Sequence, residues 1–197
     1  MKDTKEHIIK TAFLLFLEKS YKAVTLKDII RKTGLSNGAF YHYFESKEQL
    51  HKEVIETYLF RMARRIYEHY PKSSLWNFIQ DTLNDAEEVH KKIDEFLLAG
   101  SGYNFLIFMF EAMGQFPEIR VEINNLHKME FAAWVEIIEI AKAKGEIRDA
   151  LPTELIARMF IYVPDGSYLE FMIDANIAKY KLVHRRLWEG LYNMLKV

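Results

Sequence analysis

A chain of 197 residues, half of them hydrophobic and 28% charged, with only 8 Gly and 4 Pro, is long enough to bury a real core and too apolar for disorder. That composition disfavours an irregular all-β architecture and predicts a mostly helical globule, while the absence of Cys excludes disulfides, thiolate metal sites and cysteine nucleophiles. The net charge of −1 conceals an asymmetry, because residues 1–55 carry +3 and residues 56–197 carry −4, so the basic charge lies at the front.

Met1 to His7 is polar and charged, unlike the basic start and apolar run of a secretory signal. Ile8, Ile9, Ala12, Phe13, Phe16 and Leu17 then recur at a spacing that puts them on one face of a helix ending near Ser20. Thr25 precedes Leu26, Ile29 and Ile30, with Asp28 three residues on, an arrangement that caps a helix N-terminus through side-chain oxygens. This second helix must stop at Gly34, which suits the left-handed residue just past a helix end, and Ser36 is placed to cap a third. Two short helices joined by a tight Gly-containing turn predict a helix-turn-helix.

At about 100° per residue, Phe40 and Phe44 share one face of the third helix, expected over Asn37 to Phe44. With Leu35 they complete a small core, which leaves Gly38, Ala39 and His42 pointing the other way, flanked by Tyr41 and Tyr43. Small residues at the start of such a helix permit close approach to base edges in the major groove, where the Ala39 methyl can touch a thymine methyl and Asn37 can pair with adenine. His42 reaches a base or a phosphate, and Thr25, Lys27, Tyr41 and Lys47 are placed to hold the DNA backbone and fix the register. Ser46 caps a fourth helix with Gln49 at the third position, presenting Lys47 at a positive helix end.

Thr25 through Leu50, TLKDIIRKTGLSNGAFYHYFESKEQL, resembles the signature of the tetracycline-repressor (TetR) family. The specificity lies in the joint spacing of Thr25, Gly34, Ser36, the cluster Phe40, Tyr41, Tyr43 and Phe44, and Lys47; Ile30 stands where Ala is common and Phe40 where Leu is common. The resemblance implies a homodimeric regulator, usually a repressor, whose C-terminal helical domain senses a small molecule. The expected fold is accordingly all-α: an N-terminal three-helix DNA-binding module over residues 1–51, joined by a long helix to a helical ligand-binding and dimerisation domain over residues 52–197. The expected partners are double-stranded DNA carrying an inverted-repeat operator, a second copy of the chain through the last two helices, and a small-molecule effector; no cofactor, metal or membrane contact is expected.

The rest of the chain is helical pattern broken at Pro71, Gly100 to Gly102, Pro117, Gly145 and Pro152. The fourth helix is expected from Lys47 to Tyr70, on the order of 36 Å long. The longest apolar tract, Phe96 to Phe110, is interrupted by Ser101 and Asn104 and falls short of the roughly 18 to 20 residues a membrane span needs, so a soluble cytoplasmic protein is expected.

The last two helices read as 153–174, with Leu155, Ile156, Met159, Phe160 and Val163 on one stripe, and 177–195, with Tyr180, Val183, Leu187 and Leu191. Periodicity alone suits a two-fold interface and a monomer core equally, and the resemblance favours the interface. Pro164 and Gly166 are expected to kink the first of the two.

Soft and aromatic residues between these stretches, Phe105, Phe108, Met109, Met113, Phe131, Trp134, Tyr162, Tyr168 and Met172, suit both an apolar ligand pocket and an ordinary core. Glu111, inside LIFMFEAMG, is placed to meet a cationic ligand or to face solvent.

Two rival readings are a Glu/His metal-binding helical enzyme and a helical protein-binding adaptor. Glu48 with His51 and Glu87 with His90 have the Glu-x-x-His spacing of carboxylate-bridged metal bundles, but no HExxH or Gly-rich phosphate loop accompanies them, and no enzyme is predicted.

Overall fold

The computed structural model describes residues 2–94, 102–174 and 176–197. Among the described residues ten α-helices follow one another: α1 (Lys2–Glu18), α2 (Leu26–Thr33), α3 (Asn37–Tyr41), α4 (Lys47–Ile55), α5 (Arg61–Glu68), α6 (Leu75–Asp94), α7 (Gly102–Gln115), α8 (Pro117–Ala143), α9 (Thr153–Asp174) and α10 (Ile177–Leu195). A π-helical turn, Glu56–Phe60, joins α4 to α5, so the helical run expected from the fourth cap extends to Glu68. The all-α expectation holds, with no strand among the described residues and one isolated bridge between Ile147 and Lys196.

Local chemistry sets the early boundaries. Thr25 Oγ1 accepts from the Asp28 N–H at 3.1 Å while Asp28 Oδ2 accepts from the Thr25 N–H at 3.1 Å, a reciprocal capping box that starts α2. Gly34 at φ +70° ends it, in the left-handed region that costs a residue with a Cβ but not glycine. Ser36 Oγ accepts from the Ala39 N–H at 3.2 Å and starts α3. The α-helix proper closes at Tyr41 rather than Phe44, with His42 and Tyr43 in a following turn. The chain must leave the helix there because Glu45 donates its N–H to Gln49 Oε1 at 2.7 Å and Ser46 Oγ caps α4 through the Gln49 N–H at 3.0 Å.

Later boundaries are set across longer distances. Glu146, in the turn after α8, accepts from the Leu75 and Trp76 N–H groups at 2.9 Å each, satisfying two of the orphan donors that begin α6. Pro117 opens α8 at a position where a missing N–H costs nothing. The helix α9 is continuous through Pro164 and Gly166, and the break expected over Gly100 to Gly102 falls largely outside the described residues.

The chain forms two compact units, one of residues 1–62 with 104–122 and another of 63–103 with 123–197. In the first, the α1 stripe of Ile8, Ile9, Ala12, Phe13, Phe16 and Leu17 is buried, as its spacing predicts, together with Ile29, Phe40, Phe44, Leu50 and Phe108. The second is built around Trp134, which stacks on Phe160 at 4.7 Å and meets Phe78 and Trp188 edge-on. Trp188 donates its indole N–H to the Phe160 carbonyl oxygen at 2.7 Å. Phe78 and Phe160 are fully buried, each contributing about 1.5–3 kcal/mol of transfer free energy.

Candidate nucleic-acid interface

The three-helix module presents one face of α3 to solvent and locks the other inside. Phe40 and Phe44 are buried, and on the outer side Asn37, Gly38 and His42 are exposed, Tyr41 is 50% exposed, and Ala39 and Tyr43 are half-buried. Thr25, Lys27 and Ser36 are exposed as well. Thr25 and Ser36 spend their side-chain oxygens on the caps of α2 and α3, so their contribution to the outer face is geometric: they fix where the exposed residues stand. Gly38 has no neighbour within 4 Å of where a Cβ would lie, so nothing in the protein's own packing demands a glycine there.

Lys47 is only half-exposed. Its ammonium donates to the carbonyl oxygens of Tyr21 and Val24, at 2.9 and 2.8 Å, and lies 4.2 Å from the centre of the Tyr21 ring. Desolvation lowers its pKa. An ammonium has three donors, so two of them serve the loop between α1 and α2.

Behind this face, an aromatic box encloses His51 of α4, which is fully buried. Its ring stacks on Tyr21 at 4.3 Å and meets Phe16 at 4.7 Å, Phe108 at 5.3 Å and Phe116 at 5.4 Å. Among the described residues neither ring nitrogen has a hydrogen-bond partner, and burial, helped by the Lys47 charge, pushes the imidazole pKa down to about 4. Beside the box, Lys52 lies 3.0 Å from both Glu48 and Glu118 and 4.9 Å from the Phe116 ring centre. The Glu-x-x-His pair of α4 is therefore divided, Glu48 bound to a lysine and His51 enclosed by rings. The side chains of Glu87 and His90 lie outside the described residues. Among the described residues, no three His, Cys, Asp or Glu side chains converge as a metal site.

Glu111 has a use the sequence did not suggest. Its Oε2 accepts from the backbone N–H of Tyr21 at 3.0 Å, across 90 residues of sequence. Tyr21 and Glu111 leave no local signature, because a bond from a side chain to a distant backbone group follows no periodic pattern.

The other residues expected to line a pocket are distributed between the two units. Phe108, Met109 and Met113 belong with Glu111 to the first, and Phe131, Trp134, Tyr162 and Tyr168 to the second. Phe108 and Trp134 are core residues of their units, whereas Met109, Met113, Phe131 and Tyr168 are half-buried and Tyr162 is exposed. The side chains of Phe105 and Met172 lie outside the described residues.

A capped, Gly-terminated α2 followed by a short α3 with an exposed polar face over an apolar one defines a helix-turn-helix DNA-binding protein. Residues 8–54 match the family described as bacterial regulatory proteins, tetR family. The chain is 25% identical over 172 residues to the uncharacterized HTH-type transcriptional regulator YfiR of Bacillus subtilis, covering 84% of this chain and 82% of that one. It is 26% identical over 162 residues to the HTH-type transcriptional repressor KstR2 of Mycolicibacterium smegmatis, covering 78% and 72%. Among solved structures, the regulatory protein TetR from Rhodobacter sphaeroides superposes with a TM-score of 0.63 at 20% identity, over 93% of this chain and 96% of that one, and shares the fold. Residues 8–54 thus carry the tetR-type DNA-binding domain, and the chain as a whole shares the fold of solved TetR-type regulators. Among the described residues, no helix is long and apolar enough to cross a membrane.

Proposed function

We propose that the protein is a cytoplasmic homodimeric repressor that reads an inverted-repeat operator and leaves it when a mainly apolar or aromatic small molecule binds its C-terminal helices. The observation that carries the reading is Gly38. A glycine in a helix is less favourable than alanine by roughly 0.8–1 kcal/mol, and the space around Gly38 would accept a methyl, so its use is explained by close approach of something outside the protein. At the start of α3 that partner is the edge of a base pair, with Asn37, Ala39 and His42 as readers and Lys27, Tyr41, Tyr43 and Lys47 holding the backbone.

Repression is supported by relatives named as repressors, among them KstR2. A two-fold assembly is supported by apolar residues left in water on α9 and α10: on the α9 stripe Ile156 and Phe160 are buried while Leu155 and Val163 are exposed, and on α10 the stripe of Tyr180, Val183, Leu187 and Leu191 is half-buried or buried while Leu182, on the opposite side of the helix, is exposed. An aromatic effector is supported by Phe131, Tyr162 and Tyr168, which the core of that unit does not fully enclose.

The test is to select bound fragments from the source genome, then measure affinity for the selected duplex against a panel of apolar, aromatic and cationic compounds. A true effector weakens DNA binding by about 5- to 150-fold, and the duplex weakens effector binding by the same factor. A panel with no compound that shifts DNA affinity argues against sensing, and a chain that enriches no fragment argues against DNA reading itself.

A further inference from the structure

We propose that Glu111 is the positioning residue that holds the reading head in its DNA-binding geometry, by fixing the backbone of Tyr21. The inference rests on the DNA-reading assignment of α3 and on no effector.

Tyr21 stands in the loop between α1 and α2, four residues before the Thr25 cap, so its placement sets where α2 starts and hence where α3 is presented. Two helices grip it through three side chains. From α7, Glu111 takes its N–H; from α4, Lys47 donates to its carbonyl oxygen and lies over its ring; and the His51 ring, also on α4, stacks against it. The corner between α7 and α8 is held beside this point by a second tie, Lys52 to Glu118, and by Phe116 against the Lys52 ammonium. The loop is thus clamped between α4 and α7. Of these ties only Glu111 joins the loop's backbone to α7, and without it the Tyr21 N–H, half-buried among rings, loses its acceptor.

Electrostatics and positioning predict opposite signs for the loss of Glu111. Removing a negative charge from a DNA-binding unit should by itself tighten binding to a polyanion. Removing a positioning acceptor should loosen the loop and weaken binding. Gln separates the two effects, because its amide oxygen accepts the same N–H without the charge.

The experiment uses the full chain and a duplex that the wild-type protein has enriched from a random-sequence library, with affinity measured across a salt series and no effector present. Glu111→Ala should bind about ten-fold more weakly, Glu111→Asp, one methylene shorter, should fall between, and Glu111→Gln should stay within two-fold of wild type. The slope of affinity against salt should be unchanged in all three, since no phosphate contact is removed. Should Glu111→Ala fail to fold, Glu111→Asp against Glu111→Gln carries the comparison. Glu111→Ala binding as tightly as wild type or more tightly overturns the proposal, as does Glu111→Gln binding as weakly as Glu111→Ala. A wild-type chain that enriches no duplex overturns the DNA-reading assignment along with it, whereas a silent Glu111→Ala overturns the positioning role alone.

Discussion

The Lys47 ammonium lies 4.2 Å from the centre of the Tyr21 ring and donates to the carbonyl oxygen of the same residue at 2.9 Å. A side chain at the N-terminus of α4, where a phosphate would be favoured, is thus also a brace for the loop in front of α2. Both roles are lost together in Lys47→Ala, which should weaken binding to every sequence. It should also lower stability by about 1–3 kcal/mol, because the Tyr21 and Val24 carbonyls each lose a donor. The salt series isolates the phosphate contact. If Lys47 meets DNA, the slope of log affinity against log salt should flatten by about one unit; an unchanged slope with reduced stability would leave only the brace.

Gly38→Ala should move stability and affinity in opposite directions. The added methyl meets nothing within 4 Å in the protein and alanine favours helix, so the melting temperature should hold or rise slightly. DNA affinity should fall, because the methyl occupies the space that a base edge is proposed to use. Thermal melting beside a mobility-shift titration reads both, and equal DNA affinity in the two proteins would remove the main support for the orientation of α3.

Among the exposed residues, Asn37→Ala and His42→Ala should change which sequence is preferred, while Tyr41→Ala should weaken all sequences alike. Base contacts specify and phosphate contacts position, with a lost base contact costing about 1–3 kcal/mol at one position of the site. Selection from a random library with each variant gives the comparison, and an unaltered preference in Asn37→Ala would take that residue off the base edges.

The parts of this site that were legible in the sequence are those held by neighbours in the chain. The bounds of α2 follow from Thr25, Asp28 and Gly34, and the start of α3 from Ser36, all acting within four residues. The burial of Phe13, Phe16 and Phe40 follows from helical periodicity. What was hidden is held across the chain: the Glu111 bond to the Tyr21 backbone spans 90 residues, and Glu146 caps α6 from 71 residues away. His51 and Glu48 illustrate the converse, since a spacing suggestive of metal ligands resolves into an aromatic box and a salt bridge once Phe108, Phe116 and Lys52 are in place. Trp134 and Phe108 carry the same lesson for pockets, because an aromatic stripe reads identically whether it surrounds a ligand or a core.

His51 makes stability depend on pH in a defined window. Burial holds its folded-state pKa near 4, against about 6.5 in the unfolded chain. Above pH 6.5 both states are neutral and the penalty is absent. As pH falls from 6.5 towards 4, the unfolded chain binds a proton that the folded one refuses, so stability declines, by on the order of 3 kcal/mol at about 1.36 kcal/mol per unit. His51→Phe, an aromatic replacement that does not titrate, should fold at neutral pH and lose this part of the decline. Denaturant unfolding of both proteins at pH 7 and pH 4.5 checks it; parallel curves would mean that His51 does not refuse the proton.

Leu182→Glu addresses the assembly. Leu182 on α10 is 48% exposed and Leu155 on α9 is 46% exposed, and apolar side chains standing in water on the last two helices are what a two-fold helical interface would cover. A five-residue α3 reads few base pairs, and each matched pair adds only about 1–3 kcal/mol of discrimination, so one head alone gives weak selectivity. Two heads related by a two-fold axis read an inverted repeat, with half-site centres expected roughly 34–36 Å apart. Light scattering at micromolar concentration should therefore give twice the chain mass for wild type and one chain mass for Leu182→Glu, with helical content unchanged because the position already faces water. The variant should keep weak binding to a half-site and lose the advantage of the repeat. A wild-type monomer that binds a single half-site tightly would remove the dimer, and a dimeric Leu182→Glu with full affinity would move the interface away from this face of α10.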